Sequence, residues 1–96
     1  MQLLLTYDVS TTTPEGRRRL RQMAKLCEGY GHRVQKSVFE ITCTDAELLT
    51  LLDGATRIIE AGDDSVRVYR LPHDGFTTVH RLGVAEPVPH HDPLIL

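Results

Sequence analysis

The fold follows from one stretch near the start of the sequence, Leu3-Leu4-Leu5-Thr6-Tyr7-Asp8-Val9. Its first residues are apolar at consecutive positions, which is typical of a strand at the centre of a sheet, covered on both faces. The strand is predicted to end at Asp8, because the polar, turn-forming run from Ser10 to Thr13 follows it.

A basic amphipathic helix is predicted from Pro14 to Glu28, with Gly29 ending it. Proline suits the first helical turn, where its missing N–H costs no hydrogen bond. Thr12 and Glu15 have the spacing of a capping box. At about 100° per residue, one apolar stripe and one cationic cluster share the helix surface. The stripe consists of Leu20, Met23, Ala24 and Cys27; the cluster consists of Arg18, Arg21 and Lys25, flanked by Arg17.

The next segment, His32 to Cys43, has the composition of two short strands, or of one strand with a bulge near Lys36 and Ser37. A second capping box, Thr44 with Glu47, predicts a helix through Ile59, although Gly54 within it weakens the case for an unbroken helix. Two further strands are predicted after it. They run from Ser65 to Leu71, stopped by Pro72, and from Phe76 to Leu82.

This β-α-β-β-α-β order with an extra C-terminal strand predicts an α+β, ferredoxin-like fold, in which an antiparallel sheet carries both helices on one face. The predicted domain spans 1–85, and the Pro/His-containing segment 86–96 is predicted to be a tail without regular structure. Leu4, Thr6 and Asp8 then share the face without helices. A second copy of the chain is the simplest cover for that face, and a ligand or RNA strand is the alternative.

Charge is distributed unevenly along the 96 residues, whose net charge is −2. Seven of the 11 basic residues lie within positions 17–36, where Glu28 is the only acid, so this segment carries +7 − 1 = +6 and the remainder +4 − 12 = −8. Such asymmetry indicates an anionic partner. The alternative is a solvated basic helix face with no ligand.

The remaining composition predicts a soluble, cytoplasmic protein without a membrane partner. No apolar run approaches the ~18 residues that span a bilayer. The two cysteines, Cys27 and Cys43, fit reduced thiols better than a disulfide framework. The five histidines share no spacing typical of zinc ligands, so no zinc site is predicted.

Asp8 is the strongest candidate for a metal ligand, since carboxylates at strand ends commonly belong to ligand sites. One aspartate is a weak site, because Mg²⁺ requires several oxygen ligands. Two copies of Asp8 across a dimer axis, with substrate phosphate and water, would complete the set. The alternative is that Asp8 only stabilises the turn after the strand.

Together, Tyr7-Asp8-Val9, the arginine-rich helix and the segment from Tyr30 to Glu40 resemble the CRISPR-associated Cas2 (Cas-two) family. The resemblance covers about residues 1–85. It implies a ferredoxin-like homodimer that works in CRISPR adaptation, bridging copies of the Cas1 (Cas-one) integrase and holding duplex DNA. Several members of the family are Mg²⁺-dependent nucleases on RNA or DNA.

Carried onto this sequence, the resemblance assigns the catalytic and metal-binding aspartate to Asp8. The predicted nucleic-acid contacts are Tyr7, Arg17, Arg18, Arg19, Arg21 and Arg33. Tyr7 and Phe39 could each stack on a base, but their aliphatic neighbours favour core packing or a dimer interface for both.

Two functions follow. The first is a Mg²⁺-dependent endonuclease that takes part in spacer acquisition, acting on DNA or single-stranded RNA. The second is a non-catalytic dimeric adapter that binds duplex DNA through its basic helices. A small-molecule sensor, the third class considered, lacks any glycine-rich phosphate loop in the sequence.

Overall fold

The computed structural model describes residues 1–84, which form a four-stranded antiparallel sheet with two helices. The sheet order is β2-β3-β1-β4, the arrangement of a ferredoxin-like α+β fold, as predicted. In chain order the elements are β1 (Gln2–Asp8), α1 (Pro14–Glu28), β2 (Gly31–Gln35), β3 (Val38–Thr42), α2 (Asp45–Ile58) and β4 (Ser65–Arg70), followed by a 3₁₀ turn (Gly75–Thr78).

Strand β1 lies at the centre, paired with β3 on one side and β4 on the other. Its side chains alternate, as strand geometry requires: Leu3, Leu5 and Tyr7 are buried in the core that the helices cover. Leu4 and Thr6 are only partly buried, and Asp8 is exposed. These residues lie on the sheet face without helices, which we call the open face.

Helix α1 has the predicted bounds, but its cap lies one residue later than predicted. Thr13, not Thr12, is the N-cap, and its Oγ1 accepts a 3.0 Å hydrogen bond from the N–H of Gly16. The predicted pairing of Thr12 with Glu15 was therefore wrong. Gly16 is buried against the loop after β1, and any side chain there would overlap the carbonyl oxygen of Ser10.

Helix α2 is unbroken and forms both hydrogen bonds of the predicted capping box between Thr44 and Glu47. Gly54 does not interrupt it. A Cβ at Gly54 would lie 3.1 Å from Leu26 Cδ1 of α1, so this glycine lets the two helices approach closely. Neither helix in the described part of the chain is long and apolar enough to cross a membrane.

Of the two alternatives for residues 32–43, the structure has two strands, β2 and β3, joined by a turn at Lys36 and Ser37. The pairing register shifts between Arg33 and Gln35. The turn contacts the central strand, because the N–H of Tyr7 donates a 3.1 Å hydrogen bond to the carbonyl of Ser37.

The extra strand predicted from Phe76 to Leu82 was wrong, since a 3₁₀ turn occupies Gly75–Thr78. Phe76 is buried, and its N–H donates to the Gln2 side chain at 3.1 Å. Of the apolar residues of this segment only Phe76 is buried, whereas Val79 and Leu82 are exposed, so the segment offers no second apolar position to a sheet. The predicted tail, 86–96, lies outside the described residues.

Candidate active site

Asp8 lies in a shallow depression of about 280 Å³ on the open face, at the C-terminal end of the central strand. The depression, called the Asp8 depression below, is lined by Thr6, Tyr7, Asp8, Ser65, Arg67 and Tyr69. The Asp8 carboxylate is exposed and has no hydrogen bond or ion pair to another residue within 1–84. Its oxygens are free to bind a ligand from solution.

One chain does not supply a complete site for Mg²⁺. No group of three or more His, Cys, Asp or Glu side chains in residues 1–84 is placed to hold a metal ion. Asp8 is of the right chemical type, because Mg²⁺ prefers carboxylate oxygens and retains several waters. The remaining ligands would have to come from a second copy, from substrate phosphate or from water.

A second aspartate, Asp64, lies at the same end of the sheet but is buried. Its carboxylate accepts hydrogen bonds from three directions: the N–H of Ser10 at 3.0 Å, the N–H of Glu60 at 2.9 Å and Nε of Arg19 at 2.8 Å. We call these four residues the Asp64 cluster. Burial alone would raise the pKa of Asp64, but Arg19 and the two backbone donors outweigh it and lower the pKa.

The Asp64 cluster fixes the backbone that follows Asp8. Ser10 is two residues after Asp8, and Asp64 directly precedes Ser65, the residue paired with Asp8 across the sheet. The loop from Ser10 and the start of β4 are therefore held together. The position of Asp8 is consequently set by a buried cluster, although the Asp8 side chain itself has no partner there.

The arginines predicted to bind nucleic acid do not form one group. Arg18 and Arg21 are exposed, and Arg17 is exposed with Nη1 donating to the carbonyl of Thr11 at 3.2 Å. Arg19 differs, because Asp64 holds its guanidinium and its side chain is only 17% exposed. The structure thus contradicts Arg19 as a free phosphate contact and assigns it to the stability of the loop.

Tyr7 and Phe39 belong to the core, as their aliphatic neighbours predicted, so Tyr7 does not present its ring to a base as the family resemblance implied. Tyr7 is 5% exposed, its ring centroid lies 6.2 Å from that of Phe39, and its hydroxyl donates to the carbonyl of Lys36 at 3.2 Å. Burial raises the pKa of Tyr7, an effect that Arg33 partly offsets. Core packing, which the sequence favoured over base stacking for both rings, is confirmed.

Arg33 is exposed but lies apart from Asp8. It pairs with Phe39 across β2 and β3, and its guanidinium carbon is 5.3 Å from the centre of the Phe39 ring. Phe39 faces the helices, so Arg33 belongs to that side of the sheet and Asp8 to the open face. The structure therefore does not bring these two predicted residues together.

Sequence reasoning missed three residues beside Asp8, all from β4: Ser65, Arg67 and Tyr69. The signal was present, because they alternate with Val66 and Val68, which pack against the core. Arg67 Nη1 donates to the Tyr69 hydroxyl at 3.4 Å. The depression thus combines an exposed carboxylate with an exposed guanidinium.

Residues 1–79 match the family model described as CRISPR associated protein Cas2. The chain belongs to this family. It is 42% identical over 95 residues to a protein of Halalkalibacterium halodurans named CRISPR-associated endonuclease Cas2, covering 99% of each chain. It is 46% identical over 94 residues to a Rhodospirillum rubrum protein named CRISPR-associated endoribonuclease Cas2 3, covering 98% of this chain and 99% of that one.

Solved structures of Cas2 proteins share this fold. Streptococcus pyogenes Cas2 aligns with a TM-score of 0.79 and 49% identity, over 86% of this chain and all of that one. A chain from a structure described as a partial Cas6-RT-Cas1–Cas2 complex aligns with a TM-score of 0.65 and 26% identity, over 88% of this chain and 96% of that one. The family resemblance noted in the sequence is confirmed.

Proposed function

We propose that this chain is a Mg²⁺-dependent endonuclease of CRISPR adaptation, which hydrolyses phosphodiester bonds of RNA or DNA as a homodimer. The observation that carries the proposal is the exposed, unpartnered carboxylate of Asp8 at the end of the central strand. Two relatives at 42% and 46% identity are named endonuclease and endoribonuclease, which supports the same activity.

The dimer is part of the proposal because the open face needs cover and the metal needs ligands. Leu4 and Thr6 are partly buried, and Tyr69 is 46% exposed on the same face. Packing two open faces together around Leu4 would remove this apolar surface from water, and the ends of the central strands, with Asp8 and Arg67, would border a cleft that nucleic acid can enter. It would also bring the Asp8 of a second copy to the site, where one chain supplies a single carboxylate.

Each Asp8 carboxylate would hold and orient the cation against a phosphate of the bound strand. When bound, Mg²⁺ supplies stabilisation of the negative charge that develops on the phosphate during hydrolysis. The Asp64 cluster keeps the backbone next to Asp8 in place, so the carboxylate needs little rearrangement.

The test is the Asp8→Asn variant, assayed on labelled RNA and DNA with Mg²⁺ and with a chelator. We expect cleavage to fall by about 10³-fold or more, because the amide loses the charge that binds the cation. Equal cleavage by the variant and the wild type would overturn the proposal and indicate a contaminating nuclease.

Subunit mixing separates a shared site from two independent sites. After random exchange of equal amounts of wild-type and Asp8→Asn chains, a site that needs both carboxylates retains about one quarter of the activity, and independent sites retain about one half. The measurement is the initial cleavage rate against the wild-type fraction. A linear dependence would contradict the shared site.

A second candidate is an adapter that binds duplex DNA and the Cas1 integrase without catalysis. The observation that favours it is the alignment with a chain from a Cas1–Cas2 complex. The exposed arginines Arg17, Arg18 and Arg21 of α1 could contact backbone phosphates with little sequence preference.

Replacing Arg17, Arg18 and Arg21 together by Gln tests the adapter. If all three contact phosphates, the slope of log affinity for duplex DNA against log salt should decrease by roughly two to three. An unchanged slope would contradict this role for the helix. Asp8→Asn should leave DNA affinity unchanged in an adapter, which distinguishes it from the nuclease.

A further inference from the structure

Arg67 is a cation on the open face that neither proposed function has used. Its side chain is exposed, and it forms no ion pair with any carboxylate in the described part of the chain. Within residues 1–84 its side chain forms one hydrogen bond, at 3.4 Å, to the hydroxyl of Tyr69 on the same strand. A guanidinium with only this neutral partner retains donors for an anion.

The sheet register brings Arg67 close to Asp8 without pairing the two. Asp8 lies opposite Ser65 and Arg67 lies opposite Thr6, so Arg67 is the diagonal neighbour of Asp8 across β1 and β4. Diagonal side chains are separated by about 7–8 Å, within reach of a long side chain. Nevertheless no Arg67–Asp8 ion pair within 4.0 Å is present. Both charges face the same depression, with space between them.

We propose that Arg67 binds a phosphate of the nucleic-acid strand directly beside Asp8, and that Tyr69 positions its guanidinium. The inference deepens the proposed nuclease and rests on it, adding the residue that holds the strand. Arginine is suited to this role, because its planar fork can donate two parallel hydrogen bonds to phosphate oxygens.

The depression has room for such a group. Its volume of about 280 Å³ is close to the roughly 300 Å³ at the lower end of small-ligand sites. A phosphodiester can therefore enter together with waters that complete its hydrogen bonds. The carboxylate alone would repel this anion, whereas the adjacent guanidinium offsets that repulsion.

Arg67→Gln tests the proposal, with Arg70→Gln as its matched control. Both residues are exposed arginines of β4, but Arg70 pairs with Leu3 and so lies on the other side of the sheet. The probe is a fluorescein-labelled single-stranded RNA, titrated in the presence of Ca²⁺ instead of Mg²⁺, with the corresponding DNA in parallel. Binding is measured at several salt concentrations.

We expect Arg67→Gln to weaken binding about tenfold for every sequence and to lower the salt slope by about 0.7–1, as the loss of one phosphate contact requires. Arg70→Gln should change neither. Arg67→Lys should retain the slope and lose part of the affinity, because it keeps the charge but not the fork. Tyr69→Phe should weaken binding less than Arg67→Gln does.

Two outcomes overturn the proposal while leaving the nuclease intact. In the first, the wild type cleaves and Arg67→Gln binds as tightly as Arg70→Gln. In the second, Arg67→Gln loses affinity because it no longer forms a dimer, which light scattering would detect. A wild type that neither binds nor cleaves nucleic acid would instead refute the proposed function itself.

Discussion

Two aspartates at one end of the sheet have opposite environments. Asp8 is exposed and has no side-chain partner in the described residues, whereas Asp64, one position before the residue paired with Asp8, is buried and accepts three different donors. The carboxylate of Asp8 is thus available to bind a ligand, whereas that of Asp64 stabilises the fold. Burial and hydrogen bonding, rather than residue type, decide which aspartate is a site candidate.

The largest expected difference concerns stability. Asp64→Ala should lower the free energy of unfolding by about 2–3 kcal/mol, because it removes the buried partner of Arg19 and leaves the part-buried N–H groups of Ser10 and Glu60 without acceptors. Asp8→Asn should change it by no more than about 0.5 kcal/mol. Urea unfolding measures both. Asp63→Ala, at the exposed neighbour in the same loop, is the control; a loss there as large as for Asp64→Ala would refute the special role of the cluster.

A smaller effect should separate two neighbouring arginines on α1. Arg19→Gln should lower the melting temperature and leave the salt dependence of DNA binding unchanged, because Arg19 is bound to Asp64. Arg18→Gln should do the reverse, since Arg18 is exposed. Thermal melts and fluorescence titrations of both variants give the comparison. Identical behaviour of the two would contradict the assignment of Arg19 to structure.

The smallest expected effect is on the pH dependence of the free energy of unfolding. The pKa of Asp64 is lowered in the fold, so its charged form stabilises the protein at every pH above its unfolded value of about 3.9. That contribution is lost as the pH falls through the folded value. The stability difference between wild type and Asp64→Ala should stay constant from pH 7 to about 5 and narrow below about pH 4. A stability difference that grows as the pH falls below about 4 would contradict a lowered pKa for Asp64.

The parts of the structure that the sequence predicted are those with local signals. Pro14, Gly29 and the Thr44–Glu47 box defined the helices, and alternation in β1 placed Asp8 on the open face. The error in the predicted N-cap of α1 has a local cause as well. Thr12 and Thr13 have the same side chain, and only the packing of Gly16 against Ser10 distinguishes their positions.

The candidate site was harder to predict because its supports are distant in sequence. Nothing near Arg19 indicates that its partner is Asp64, and both residues look like ordinary surface charges. Arg67 could have been found, since strict alternation along β4 places it on the face of Asp8. Metal ligation by Asp8 stays a prediction, because its remaining ligands would come from outside the chain.

The Asp64 cluster also has a consequence for the timing of folding. It joins residues that are 54 positions apart at Ser10 and 45 apart at Arg19, so closing it orders long stretches of chain, and we expect it to form late in folding. Contacts made after the transition state slow unfolding without accelerating folding. We therefore expect Asp64→Ala to accelerate unfolding and to change the folding rate little, which would shorten the lifetime of the native state in which Asp8 is held in position.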